Sequence, residues 1–266
     1  MTMLTKDNKT RRVHVLPCGY EVSDKGALTL HKDAGTNIKI PYYSWLIEDP
    51  KHTILVDTAV SVRWKEVHPE VLVKAYPPHL EDDERLDTLL GKVGFKTSDV
   101  DLVINTHLHY DHCGNNEMFP QARFLVNSTE LKHARNPGWW DAYGYVKALF
   151  DAPALKYKTI HDRYTVTPGV SIIPTPGHSL GHQSVLVNLK ETGLLVIVGD
   201  AIFLRENLEG PVLPGIYWNA EEYAKSMDKL KELADSRKAT LLFSHSSEYL
   251  TPNGWTTLAD GIQTFQ

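Results

Sequence analysis

Short apolar runs along the chain stop abruptly at small or polar residues, and seven of them have the length and the β-branched or aliphatic make-up of strands. They are TILVDT (53–58), VDLVINTH (100–107), ARFLVN (122–127), GVSIIPT (169–175), HQSVLVNL (182–189), GLLVIVGD (193–200) and ATLLFSH (239–245). Two stretches between them repeat at helical spacing instead. LEDDERLDTLLGKVGF (80–95) sets Leu80, Leu86, Leu89, Leu90 and Val93 on one side, with acids early and Lys92 late, the charge order that suits a helix dipole. AEEYAKSMDKLKELADS (220–236) spaces Tyr223, Met227, Leu230 and Leu233 three or four apart. Alternating strands and helices predict a layered α/β fold.

The pattern gains meaning from where its runs end. His107, Asp200 and His245 each close a predicted strand, as does Asp57, and His178 follows its strand after a short Pro-Gly turn. Sites in open α/β sheets gather where strands end and loops begin, so separate segments deliver His or Asp to what reads as one edge.

Composition narrows the class. The 266 residues are 42% hydrophobic and 23% charged, without a Gly/Ser tract, Pro-rich run, like-charge block or solenoid repeat, so residues 1–266 read as a single domain. A net charge of −5 with no basic stripe argues against a nucleic-acid partner; KTRR (9–12) reads as a solvated flank. Two cysteines, Cys18 and Cys113, are too few for a disulfide scaffold. The opening residues hold no apolar signal core, and no apolar run is long enough to span a membrane, so a cytoplasmic protein without a membrane partner is expected.

The densest chemistry lies in THLHYDHCG (106–114), with three histidines and an aspartate in six residues. A chance HxHxDH is expected on the order of 0.002 times in a chain of this length, so the match carries information. Alternate side chains of an extended segment share a side, so His107 and His109 can grip one ion while Asp111 and His112 begin a second site. Neutral imidazole and carboxylate suit Zn²⁺, and Mn²⁺ or Fe²⁺ also accept such donors. Two ions need further ligands, and His178, Asp200 and His245 are the candidates, with the carboxylate of Asp200 the natural bridge. Water held between two such ions loses a proton near neutral pH and becomes a nucleophile. Cys113 stands beside a cluster that has donors enough without it, and His182 reads as a packing or hydrogen-bonding residue. Asp57 is either a strand-end turn residue or a carboxylate that orients a ligating histidine. His14, His31, His52, His68, His79, His133 and His161 belong to no constellation.

THLHYDH, TPGHSLGH, GDA and SH, in this order, resemble the metallo-β-lactamase superfamily, and ILVDTA is similar to its first motif, with Ala59 where glycine is usual. The resemblance implies a four-layer αββα sandwich. IPYYSWLIEDPKHTILVDT, HLHYDHCGNNEMFPQARFLV, PGVSIIPTPGHSLGHQSVLV and GDAIFLRENLE bring the chain nearest to the N-acyl-homoserine lactone lactonases, enzymes of quorum quenching. By that resemblance His107, His109 and His178 hold one Zn²⁺, Asp111, His112 and His245 the other, and Asp200 bridges them. A hydroxide between the ions opens a small lactone, and Asp111 or Asp200 passes a proton to the leaving alkoxide.

One departure stands out. Those lactonases usually carry a tyrosine three residues after the bridging aspartate, its hydroxyl polarising the substrate carbonyl; here the position is Phe203. Either the metals suffice, or Tyr110 or Tyr217 substitutes, or the substrate differs. EGPVLPGIYW (209–218), with Leu213, Ile216, Tyr217 and Trp218, is expected to form a substrate wall. NPGWWDAYGYVKALF (136–150) reads either as core packing or as a pocket wall or homodimer contact, and residues 67–79 as a lid or dimer contact.

The rival reading is a thioesterase of the glyoxalase II type on the same metals, but only about 20 residues follow His245, where that family carries a helical extension. A flavodiiron oxidoreductase would want glutamate at His109, and a true β-lactamase often has cysteine at Asp200. A non-catalytic module should have lost ligands, and none is missing.

Overall fold

The computed structural model describes residues 11–30 and 32–249, with the backbone of two further strand segments at 256–258 and 262–264. His31, and Lys9 and Thr10 of the KTRR flank, lie outside the described residues.

One sheet has the order β13-β12-β1-β2-β3-β4-β5-β6. Its strands are β1 (Arg12–Asp24), β2 (Asn37–Glu48), β3 (Thr53–Val56), β4 (Leu102–Ile104), β5 (Arg123–Asn127), β6 (Lys156–Ile160), β12 (Thr256–Leu258) and β13 (Ile262–Thr264). The other sheet, β11-β10-β9-β8-β7, is built from β7 (Tyr164–Thr167), β8 (Val170–Pro174), β9 (Gln183–Leu189), β10 (Gly193–Gly199) and β11 (Thr240–Phe243). β3 to β6 run parallel, as do β10 and β11, while the other pairs are antiparallel.

The sheets pack face to face over Val15, Trp45, Ile47 and Val56 from the first and Ile172, Val185, Val187 and Ile197 from the second. The intervening residues of the same strands face outward and are apolar too. The helices are α1 (Trp64–Val67), α2 (Glu70–Ala75), α3 (Leu86–Lys92), α4 (Ser128–Arg135), α5 (Lys147–Phe150), α6 (Arg205–Glu209) and α7 (Ala220–Arg237). Leu46, Leu55, Val103 and Phe124 receive α3, α4 and α5 through Leu89, Leu90, Leu131 and Phe150. Leu186, Val196 and Val198 receive α7 (Ala220–Arg237) through Tyr223, Met227 and Leu230. These contacts make the four αββα layers. Burial on both faces explains why the strands read as continuous apolar runs rather than alternating ones.

All seven predicted strands are present, and the 220–236 helix is found at Ala220–Arg237, with the Asn219 side chain accepting from the N–H of Glu222 at its start. The 80–95 helix is shorter than its pattern: Asp82–Glu84 forms a 3-10 turn, and only Leu86–Lys92 is α-helical. The sequence reading named neither β1 nor β2, although they are the longest strands. Pro17 and Gly19 interrupt the first, whose register against β2 shifts between Pro17 and Tyr20. Among the described residues, no helix is long and apolar enough to cross a membrane.

Candidate metal centre

The centre is assembled from strand ends. The chain leaves β3 at Asp57, which is fully buried at φ 57°, and Ala59 follows at φ 52°, a left-handed conformation that favours the glycine usual there. Asp57 is placed to organise the loop after β4. Its Oδ1 accepts from the Thr106 N–H at 2.7 Å, and its Oδ2 accepts from Thr106 Oγ1 at 2.7 Å and His112 Nδ1 at 2.8 Å. Thr106 Oγ1, having donated to Asp57, is left to accept from His107 Nδ1 at 3.1 Å. One carboxylate thus fixes two imidazoles, directly and through a hydroxyl, and turns both Nε2 atoms toward the centre. Of the two roles open to Asp57, the orienting one is observed.

His178 Nδ1 donates to the Ile216 carbonyl at 3.2 Å, and His245 Nδ1 to the Pro41 carbonyl at 3.0 Å, so both also present Nε2 inward. His109 is turned the other way: its Nδ1 lies 3.0 Å from His178 Nε2. His107 Nε2 lies 3.2 Å from the same atom and 3.8 Å from Asp200 Oδ2, which is 3.3 Å from His178 Nε2. Around Asp200 Oδ1 stands a second set, with His112 Nε2 at 3.1 Å and His245 Nε2 at 3.3 Å; Asp111 Oδ2 is 3.6 Å and 3.8 Å from those two nitrogens. The two oxygens of Asp200 therefore face two different groups of donors.

Both groups fit a divalent ion. Ligands 2.0–2.2 Å from a tetrahedral ion stand roughly 3.3–3.6 Å from one another, and the separations here scatter around that value, from 3.0 to 3.8 Å. His112 Nε2 and Asp200 Oδ1 are buried 3.1 Å apart with no partner outside the donor set, so only a shared proton or a bound cation satisfies them. Burial and neighbouring imidazoles hold His107 and His109 well below the ordinary histidine value, so both are neutral donors. Burial also disfavours charge on His112, but Asp200, Asp111 and Asp57 outweigh it and keep a proton where a cation would compete for the place.

Residues beyond the donors hold them in place. His182 Nε2 accepts from the Asp200 N–H at 2.9 Å, and its Nδ1 bonds Thr175 Oγ1 at 2.9 Å. Gly199, at φ 57°, makes the approach possible, since a Cβ there would stand 2.7 Å from His182 Nε2. Tyr223, fully buried on α7, donates to the Asp200 carbonyl. Glu130, buried on α4, accepts from the Leu108 and Gly181 N–H groups at 3.1 and 2.9 Å, and from Ser179 Oγ and the Tyr145 hydroxyl at 2.8 and 3.2 Å. It ties the loop of His107 and His109 to the loop of His178. Sequence reasoning gave Glu130 no role and knew Tyr223 only as a helix position. Cys113 is buried with its thiol donating to the Leu108 carbonyl, away from the donor sets.

The centre opens into a cleft of about 550 Å³, mouth included, lined by the donors His109, Asp111, His178, Asp200 and His245, by the wall of Phe203, Leu28 and Ile40, and by Glu21, Tyr110 and Tyr143. Phe203 is buried, its ring 5.4 Å from His178 and 5.2 Å from His245. Tyr110 lines the cleft, but its hydroxyl donates to Glu21 Oε2 at 3.2 Å. Tyr217 and Trp218 line a neighbouring cleft that shares His109, Tyr143, His178 and Ile216 with the first. Leu213 lines neither, packing instead with the outer core of the second sheet, while Ile216 lines both. In the 136–150 segment, Tyr145, Val146, Leu149 and Phe150 are core, whereas Trp139 and Trp140 are exposed.

Residues 39–245 match the metallo-beta-lactamase superfamily. The chain is 31% identical over 244 residues to an N-acyl homoserine lactonase of Bacillus cereus, covering 90% of this chain and 94% of that one. It is 29% identical over 256 residues to the N-acyl homoserine lactonase AttM of Rhizobium radiobacter, covering 92% and 94%. A solved N-acyl homoserine lactone hydrolase, with the product N-hexanoyl-L-homoserine at its catalytic metal centre, superposes with a TM-score of 0.79 at 29% identity, over 89% of this chain and 94% of its own. The chain belongs to the metallo-beta-lactamase superfamily, in the branch of the N-acyl homoserine lactonases.

Proposed function

We propose that this protein is a dinuclear zinc hydrolase that opens the ring of an N-acyl homoserine lactone or a related small lactone. The observation that carries the reading is the division of Asp200, Oδ1 toward His112 and His245 and Oδ2 toward His107 and His178, at the floor of a cleft. When bound, two divalent cations supply an acidified water as nucleophile and a Lewis acid for the ester carbonyl.

The chain's own groups do the rest. His107, His109 and His178 form one ligand set, Asp111, His112 and His245 the other, and Asp200 serves both. Of the two aspartates, Asp200 has both oxygens committed between the sets, while Asp111 lines the cleft with an oxygen at the edge of one set. Asp111 is therefore the group that returns a proton to the alkoxide released on ring opening. Phe203, with Leu28 and Ile40, forms an apolar wall that excludes water beside His178 and His245.

The test is acid release on a pH-stat by zinc-loaded protein, offered homoserine lactones of short and long acyl chain, simple γ- and δ-lactones, and a glutathione thioester. Turnover of lactones alone supports the reading. Turnover of the thioester alone moves the function to the glyoxalase II type on the same residues. Asp200→Ala is expected to lose bound metal and turnover together; full activity in a metal-free protein would sink the mechanism.

A further inference from the structure

A second buried carboxylate lines the same cleft and takes no part in the donor sets. Glu21, on β1 opposite Ile40 of β2, is only 7% exposed. Its Oε2 accepts two phenols, Tyr42 at 2.5 Å and Tyr110 at 3.2 Å. Burial and the neighbouring carboxylate raise both phenols well above their ordinary value, so they remain donors. Oε1 has no hydrogen-bond partner among the described residues and is left to the cleft. Oε1 is not among the buried side-chain atoms left without a partner, so it reaches the open space of the cleft, where a donor on a ligand can meet it.

We propose that Glu21 is the specificity-determining acceptor of this cleft, its Oε1 taking a hydrogen bond from an N–H beside the lactone ring, so that the preferred substrates are acylamino lactones rather than unsubstituted rings. The proposal rests on the lactonase reading for its substrate and on Glu21 alone for its selectivity. Tyr42 and Tyr110 act as positioning residues: two donors on Oε2 fix the carboxylate and leave Oε1 for the ligand. Burial, reinforced by Asp111, pushes the Glu21 carboxyl up to about 7 against the two phenols and His245, so the carboxylate acceptor predominates above neutral pH.

Glu21→Gln makes a sharp probe. Its amide oxygen can still accept both phenols, which turns the amide NH₂ toward the cleft and puts a donor where an acceptor stood. The comparison is N-hexanoyl homoserine lactone against its N-methylated counterpart, scored as the ratio of kcat/KM in wild type and variant. The same pair built on the unhydrolysable lactam ring gives Kd by calorimetry with zinc-loaded protein. Wild type is expected to prefer the N–H member of each pair by about 10- to 100-fold, and Glu21→Gln to lose that preference. A preference that persists in Glu21→Gln is steric and overturns the assignment, as does equal binding of the two lactams by wild type. If neither lactone is hydrolysed but the lactam preference follows Glu21, the lactonase reading fails and the acceptor role of Glu21 stands.

Discussion

The main-chain N–H of Asp200 donates to Nε2 of His182 at 2.9 Å, so the one carboxylate that faces both donor sets is held from below by an imidazole that faces neither. Because Nε2 accepts, the ring proton sits on Nδ1, where Thr175 Oγ1 receives it. Replacing His182 with alanine leaves the Asp200 N–H buried and unpaired, and frees the strand end to move. Metal affinity should fall by about 10- to 100-fold, and the metal-free protein should lose about 1–3 kcal/mol of stability. Competition with a chromophoric chelator and denaturant unfolding measure the two effects; unchanged zinc affinity would remove His182 from the support of the centre.

Asp57→Asn tests the other support. Asp57 accepts three hydrogen bonds, from the Thr106 N–H, Thr106 Oγ1 and His112 Nδ1. An asparagine must turn its NH₂ toward at least one of these donors. With the NH₂ toward His112, the imidazole is driven to the tautomer with its proton on Nε2, the atom that faces Asp200. The set containing Asp111, His112 and His245 is expected to lose its ion first, at an affinity lower by about 10- to 100-fold. Two-site zinc titration reads this directly: one strong site should survive while the other weakens. Equal weakening of both sites would show that the Thr106 link to His107 carries as much as the direct bond to His112.

The two supports differ in how far they could be read from the chain. The donors were legible because each follows an apolar run buried on both faces, so motif and strand end coincide, as at His107, Asp200 and His245. Asp57 was half legible for the same reason. Glu130 was not, since its partners Leu108, Tyr145, Ser179 and Gly181 lie 15 to 51 positions away and nothing around it marks it as buried. Glu21 likewise lies in a stretch that the sequence reading left without an element, and nothing marks it until Tyr42 and Tyr110 close over it. The wall residue Leu213 was misplaced because a Pro/Gly-rich loop fixes no side-chain direction: Ile216, three positions on, turns into the cleft instead.

His68 should govern part of the acid stability. It lies at the end of the short helix at Trp64–Val67, with its ring 5.0 Å from that of Tyr110 and neither ring nitrogen hydrogen-bonded. Burial lowers its pKa to about 4. Between pH 6.5 and pH 4 the unfolded chain binds a proton that the folded chain refuses, so stability falls as pH drops through that window and is unaffected above it. The effect is at most about 3 kcal/mol. His68→Phe keeps the edge-to-face packing and removes the proton. Thermal unfolding of the metal-free proteins from pH 7 to pH 4 should show a shallower loss in the variant; parallel curves would place the acid sensitivity elsewhere.

Phe203 offers the last test, because it occupies the position where related lactonases carry a tyrosine. Its ring stands between His178 and His245, and Leu28 and Ile40 pack against it. Neither alternative tyrosine has a free hydroxyl at the centre: Tyr110 is spent on Glu21, and Tyr217 lines the neighbouring cleft. Phe203→Tyr adds one donor to a wall that has none, at an overpacking cost of about 1–3 kcal/mol if the hydroxyl is forced against Leu28 or Ile40. A donor that meets the developing oxyanion acts in the transition state, so kcat should rise about tenfold or more while KM stays within a factor of a few. Steady-state kinetics on one homoserine lactone decide the matter. A rise in kcat means the metals alone leave the carbonyl under-polarised; a fall in kcat with lower stability means the apolar wall is shaped for a substrate that leaves no room for the hydroxyl.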